Sequence, residues 1–172
     1  MIKIAVHGHP ILKQETEFNK AEANSCIKDL KVAIQSLDGL GFAANQLLYS
    51  NRICVIRSST GELVILANPE IIERSKDMGT TTEHCFSYPG MSFRIERNIQ
   101  VAIKYLDEDF NSRLAEFYGQ DAIVAQHEID HLDGITPVDR SGNLFGQSNL
   151  KRILRKFKDH IAPYEEQNDQ NT

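Results

Sequence analysis

Gln126-His127-Glu128-Ile129-Asp130-His131 is an H-E-x-x-H segment, and the rest of the chain is read outward from it. A helix turns about 100° per residue, so His131 lies roughly 40° round from His127 and one turn further on. Glu128 falls within about 60° of His131. Two imidazoles that can ligate a metal and a carboxylate that can serve the metal's water therefore share one face. A solvated helix can carry the same spacing without a metal, and the motif alone leaves both readings open. The helix is expected over Gln120 to Leu132, with Asp133-Gly134 as its stop. Ile123 and Val124, one turn before His127 on the same face, should wall the site with apolar surface. Ile129 projects from the other side, towards a core.

Upstream, the chain divides into recognisable pieces. Residues 1–20 lack periodicity. From Asn19 to Leu37, the residues Ile27, Leu30, Ile34 and Leu37 form the stripe of an amphipathic helix, ended by Asp38-Gly39. Gly39-Leu40-Gly41-Phe42-Ala43-Ala44-Asn45-Gln46 follows, its paired glycines suggesting a tight turn that approaches something closely. A phosphate loop would need a third glycine or a Lys-Ser/Thr pair, and neither follows. Arg52–Ile56 and Leu63–Ala67 read as a hairpin closed off by Asn68-Pro69, with Ile71-Ile72-Glu73 extending the sheet before a polar turn at 75–79. If Thr82 to Ser87 is extended, Glu83, Cys85 and Ser87 face one way and His84 and Phe86 the other. Ile99–Leu106 and Arg113–Tyr118 form a second strand pair, broken by Gly119.

Downstream of the motif, residues 135–146 look like loop. An amphipathic helix is expected over residues 148–160, with Leu150, Ile153, Leu154, Phe157 and Ile161 on one face and Lys151, Arg152, Arg155, Lys156 and Lys158 on the other. Residues 164–172 read as a disordered tail. With no internal repeat or linker, residues 1–163 are expected to form one domain.

Bulk properties narrow the function classes. The 172 residues suit one domain with a real core, and a net charge of −5 offers no global attraction to DNA or to an anionic membrane. No apolar stretch is long enough to span a bilayer, and the amino-terminal run is too short and polar for a signal peptide. Cys26, Cys54 and Cys85 are odd in number and scattered, which argues against a disulfide framework. A cytoplasmic protein is expected.

The third metal ligand decides the chemistry, since a catalytic metal commonly takes three protein ligands and keeps one position for water. A thermolysin-like enzyme needs a glutamate on a later helix, and the metzincin pattern needs a histidine six residues beyond His131, where Pro137 stands. Residues 148–160 contain no glutamate. Cys85 is the remaining strong candidate, because a thiolate suits zinc or ferrous iron. A nucleophilic Cys-His hydrolase is the rival use of these residues, but it gives Glu128 and the second histidine no role.

Three separated motifs together resemble the peptide deformylase family. Gly39 to Gln46 resembles its G-Φ-G-Φ-A-A-x-Q, where Φ is apolar. Glu83-His84-Cys85-Phe86-Ser87 resembles E-G-C-Φ-S, and Gln126 to His131 resembles Q-H-E-Φ-D-H. The resemblance covers residues 1–160 and implies an α+β fold in which antiparallel β-strands pack around the central H-E-x-x-H helix. It implies hydrolysis of the N-formyl group of formyl-methionyl nascent peptides, with release of formate. Cys85, His127 and His131 would hold one divalent metal, Fe2+ in many members, with Zn2+ or Ni2+ as substitutes. Glu128 would move the proton of the attacking water to the departing amine. Gln46 and the Phe86 backbone N–H would stabilise the oxyanion. Gly41 would meet the substrate's main chain, while Leu40, Glu83, Ile123 and Val124 would shape the methionine pocket.

The chain departs from the pattern at His84, where the family has glycine, and at Phe42 and Phe86, where leucine is common. His84 would be strained but tolerable if its backbone needs φ > 0, and would narrow the cleft or touch substrate if the glycine merely gives room. In bacterial relatives a basic carboxy-terminal helix contacts the ribosome, which residues 148–160 would match. Two other readings remain: a metal-binding regulatory relative with lost turnover, and a general metallopeptidase.

Overall fold

Helix α1 (Lys20–Ser36) is capped by Asn19, whose side chain accepts the Ala21 N–H at 3.0 Å. Its buried residues, Ala23, Cys26, Ile27, Leu30, Ala33 and Ile34, recur at helical spacing and form the stripe read from the sequence. The helix ends before Asp38-Gly39 as expected, with Leu37 as its cap. Asp38, not Gly39, adopts the left-handed conformation (φ 50°), and the Gly39 N–H returns to the Ile34 carbonyl at 3.1 Å to close a Schellman turn. The glycine is required by space instead. A Cβ at Gly39 would come within 3.1 Å of both the Phe42 and Phe86 rings.

The computed structural model describes residues 2–141, 159 and 161–162. The fold is mixed, with antiparallel sheets and few helices. Strands β1 (Gly41–Ala43), β2 (Ile53–Arg57), β3 (Leu63–Arg74), β6 (Gln100–Leu106) and β7 (Ser112–Tyr118) form one antiparallel sheet in the order β1-β2-β3-β6-β7. Strands β4 (Met78–Glu83) and β5 (Phe93–Asn98) form a separate antiparallel hairpin inserted between β3 and β6. Ile53 to Ile56 are all buried, and both α1 and helix α2 (Gly119–Leu132) pack on β2. One apolar cluster runs from α1 through β1–β3 and β6 to α2. A second gathers Cys85, Tyr88, Met91, Phe93 and Ile95 beneath the hairpin.

Several boundaries differ from the sequence reading. Asn68-Pro69 does not close the hairpin. β3 runs through it to Arg74 with register shifts between Ala67 and Glu70 and between Ile71 and Glu73. Asn68 takes φ 48°, a conformation asparagine tolerates, and the proline sits at the bulge where its missing N–H costs no ladder bond. The polar turn is shorter than expected, since β4 already begins at Met78. β5 was not expected at all. Its alternation of buried Phe93, Ile95 and Arg97 with exposed Arg94 and Glu96 places an arginine on the inner face, which defeats an apolar pattern search. Gly119 starts α2 rather than only ending β7, and Pro137–Ser141 forms a short helix, α3, in the expected loop. Apart from Asp159, the expected helix over 148–160 lies outside the described residues, as does the tail at 164–172.

Candidate active site

Helix α2 is buried along its whole second half. Every residue from Val124 to Leu132 is buried, including Gln126, His127, Glu128, Asp130 and His131. A helix of this composition is tolerated in a core only if its polar side chains find partners. Gln126 donates to the Asn98 and Ala122 carbonyls at 2.8 and 2.9 Å. Asp130 accepts from Arg97 and from Arg140. His127, Glu128 and His131 converge on Cys85.

Cys85 follows β4 in a turn. β4 ends at Glu83, yet the alternation read from the sequence continues beyond it: Glu83, Cys85 and Ser87 are buried, His84 is exposed and Phe86 is half-buried. Turns follow: Tyr88 N–H donates to the Cys85 carbonyl at 2.9 Å and Met91 N–H to the Tyr88 carbonyl at 3.2 Å. Cys85 Sγ lies 3.2 Å from His131 Nε2, and one ligand atom from each of Cys85, His127 and His131 falls within 4.8 Å of the others. A thiolate and two imidazoles at this spacing fit zinc or ferrous iron. The donors are oriented before any ion arrives. His127 Nδ1 donates to Glu83 Oε2 at 2.7 Å, which leaves Nε2 as the ring's other donor atom.

Glu128 stands beside these groups with Oε2 buried and without a protein partner. A strand passes against its other side: a Cβ at Gly41 would lie 2.8 Å from Glu128 Cδ and Cγ, so β1 can approach α2 this closely only with glycine there. Gln46, in the 3-10 turn Ala44–Leu47, is fixed at both ends of its amide. Oε1 accepts the Ala43 N–H at 2.9 Å, while Nε2 points to Ser87 Oγ at 3.1 Å and Cys85 Sγ at 3.4 Å. The amino-terminal segment braces both walls, with Ala5 N–H on the Gln46 carbonyl and His7 N–H on the Ser87 carbonyl, each at 2.8 Å.

Charge is uneven across the site. Burial raises the Glu128 carboxyl, and although His127 opposes this, the balance leaves it at about 7. Burial would raise Glu83 too, but hydrogen bonds from Arg97 and His127 overcome it and hold Glu83 down at about 2. Burial also favours neutral imidazoles. In His131 it prevails, reinforced by His127, and the pKa falls, whereas hydrogen bonds to Cys85 and Glu83 reverse it in His127 and the pKa rises.

A cleft of about 270 Å³ opens onto these groups. It is lined by Leu40, Gly41, Gln46, Glu83, His84, Cys85, Phe86, Ile123, Val124, His127 and Glu128, which are all the residues singled out in the sequence except His131. His131 is fully buried behind them. Glu83 is at the cleft but is 7% exposed, with both oxygens committed to Arg97 and His127. His84 is exposed, with Nδ1 3.3 Å from the Met91 carbonyl oxygen. It is not among the residues with positive φ, so histidine carries no backbone strain where the family pattern has glycine. Phe42 and Phe86 stack with centroids 4.9 Å apart, so these two departures are one packing unit. The sequence reading missed Arg97, which no short motif announces, and Asp130, which lies inside the motif but was given no role.

A sequence profile described as polypeptide deformylase matches residues 1–145. Among curated relatives, the chain is 34% identical over 151 residues to a peptide deformylase of Natranaerobius thermophilus, covering 83% of this chain and 94% of that one. It is 36% identical over 145 residues to one from Aquifex aeolicus, covering 80% and 85%. The fold is similar to the crystal structure of peptide deformylase from Thermotoga maritima, with TM-score 0.77, 31% identity, and 81% and 97% of the two chains covered. It is also similar to a Synechococcus elongatus peptide deformylase in complex with actinonin, with TM-score 0.77, 28% identity, and 95% and 91% covered.

Proposed function

The chain belongs to the peptide deformylase family, and from that premise we propose how its own residues divide the work of removing the formyl group from newly made polypeptides. The reaction is hydrolysis of the N-terminal formyl amide, with release of formate. The observation that carries the assignment of roles is the convergence of Cys85, His127 and His131, with Glu128 alongside. The regulatory and general-peptidase alternatives have no comparable support.

Cys85, His127 and His131 hold one divalent ion. When bound, that ion supplies Lewis acidity and a water of lowered pKa. Fe2+ is the proposed ion, with Zn2+ or Ni2+ as substitutes. Glu128 accepts the proton of the attacking water and hands it to the departing amine. Its elevation to about 7 supports both halves of that task near neutrality. As charge develops on the formyl oxygen, Gln46 Nε2 and the Phe86 backbone N–H donate to it. The Gln46 amide is held in place by Ala43 and Ser87, so little reorganisation is needed when it does so. Gly41 takes the substrate's main chain along β1. Leu40, Ile123 and Val124 provide the apolar wall for the methionine side chain, with Glu83 behind them and His84 at the rim.

Residues 1–163 act as one catalytic domain in which antiparallel strands enclose the H-E-x-x-H helix. The basic residues of 148–160, outside the described part of the structure, are proposed to contact the ribosome. No described helix is long and apolar enough to cross a membrane, and a cytoplasmic site of action is proposed. The deciding experiment is an anaerobic assay of the Fe2+-loaded protein on a formyl-methionyl peptide and its unformylated twin. Formate release from the first and no cleavage of the second is expected. Cleavage of an internal peptide bond in either would overturn the reading.

A further inference from the structure

We propose that Arg97 is a positioning residue for the metal ligand His127 and acts through Glu83. The inference rests on the metal reading of Cys85, His127 and His131. Arg97 lies on the inner face of β5 with Phe93 and Ile95, and is 4% exposed. Its guanidinium grips Glu83 with two hydrogen bonds, Nε to Oε1 at 2.8 Å and a terminal nitrogen to Oε2 at 2.9 Å. The other terminal nitrogen donates to Asp130 on α2. Glu83 Oε2 then accepts the Nδ1–H of His127 at 2.7 Å. Asp130 is held on its far side by Arg140 of α3, whose side chain is 44% exposed. The result is an unbroken chain of alternating charge, Arg140–Asp130–Arg97–Glu83–His127, running from the surface to a metal ligand.

Geometry gives Arg97 its specific task. A planar guanidinium fork fixes the plane of the carboxylate it grips, which a lysine ammonium cannot do. With the Glu83 plane fixed, Oε2 has one place to receive a proton, and His127 is held in the tautomer protonated on Nδ1. Nε2 is then the atom presented beside Cys85 and His131. The third nitrogen of Arg97 ties the same fork to Asp130, three residues along α2 from His127. The β4–β5 hairpin is not hydrogen-bonded into the main sheet, so this fork also sets where the hairpin sits relative to the metal-binding helix.

The test compares wild type, Arg97→Lys, Glu83→Gln and the double variant, all full-length. Zn2+ affinity is measured by competition with a chromophoric chelator, and folding by circular dichroism. Each single change is expected to weaken Zn2+ binding by roughly 10–100-fold. The double variant should be no weaker than the worse single, because both changes break one path. Wild-type affinity in Arg97→Lys, or losses that multiply in the double variant, would overturn the proposal. Should Arg97→Lys not fold, the wild-type protein decides. In its Zn2+-loaded form the 15N spectrum of His127 should show the proton on Nδ1, and a proton on Nε2 would overturn the proposal. Wild-type protein that binds no Zn2+ would instead sink the metal reading, before any variant is compared.

Discussion

Gly41 and Glu128 lie so close that a single methyl group on the glycine would sit 2.8 Å from the carboxylate carbon. Real Cβ atoms do not approach carbon that closely, so Gly41→Ala must displace Glu128, β1 or both. Displacements of about 1 Å can cost on the order of 10²-fold in rate. The variant should therefore lose about that much in kcat while binding metal as wild type does. Paired measurement of metal content and steady-state rate checks this, and an unimpaired kcat would show that Glu128 position is not critical.

Removing the Glu128 carboxylate separates proton transfer from metal binding. Glu128→Ala should keep its metal and lose roughly 10²–10⁴ in rate. His127→Ala and Cys85→Ala should lose both metal and activity. Elemental analysis beside formate release distinguishes the two patterns, and full amide hydrolysis by Glu128→Ala would overturn its assignment.

Gln46 touches Cys85 Sγ only weakly, at 3.4 Å, and its amide is held mainly by Ala43 and Ser87. Gln46→Ala should therefore remain metal-replete. Loss of one oxyanion donor typically costs about 10²–10³ in rate, and the loss should fall on kcat more than on KM. A kcat within a few-fold of wild type would remove Gln46 from the reaction.

Glu83 predicts an acid dependence of stability. Its pKa is about 2 in the folded protein against an ordinary 4.5, so the unfolded chain binds its proton first as pH falls. The stabilisation is therefore complete above about 4.5, declines through the interval down to about 2, and is on the order of 3 kcal/mol. With chelator present to exclude metal linkage, the urea midpoint of wild type should fall more steeply between those pH values than that of Glu83→Gln. Parallel slopes would contradict the assignment.

The basic segment predicts a partner. A chain truncated after Gln147 lacks Lys151, Arg152, Arg155, Lys156 and Lys158. It should no longer co-sediment with ribosomes, while the intact chain does so in a manner weakened by salt. Equal co-sedimentation of both would rule the segment out as the contact.

The chemistry-bearing residues were legible because their information is local. His127, Glu128 and His131 share a face by helical rotation alone, and α1 announced itself through its apolar stripe. Errors fell where the deciding contact comes from elsewhere in the chain. Asn68-Pro69 reads as a stop, yet pairing with β6 carries β3 past it through a bulge. Gly39 reads as a helix terminator, yet Asp38 takes the left-handed turn and Gly39 makes room for two stacked phenylalanines.

By itself, then, the sequence determined which side chains have the chemistry to ligate a metal or take up a proton, because residue type and helical rotation settle that much, while the oxyanion role proposed for Gln46 rests on the family resemblance. Tertiary structure alone decided how they are held. Glu83 and Arg97, separated by a turn and a strand, become a fork that aims His127, and Gly41 matters only because β1 is pressed against α2. Burial supplies the reason. Removed from water, each of these polar groups must find its partner within the protein, and that partner is chosen by packing rather than by sequence neighbourhood.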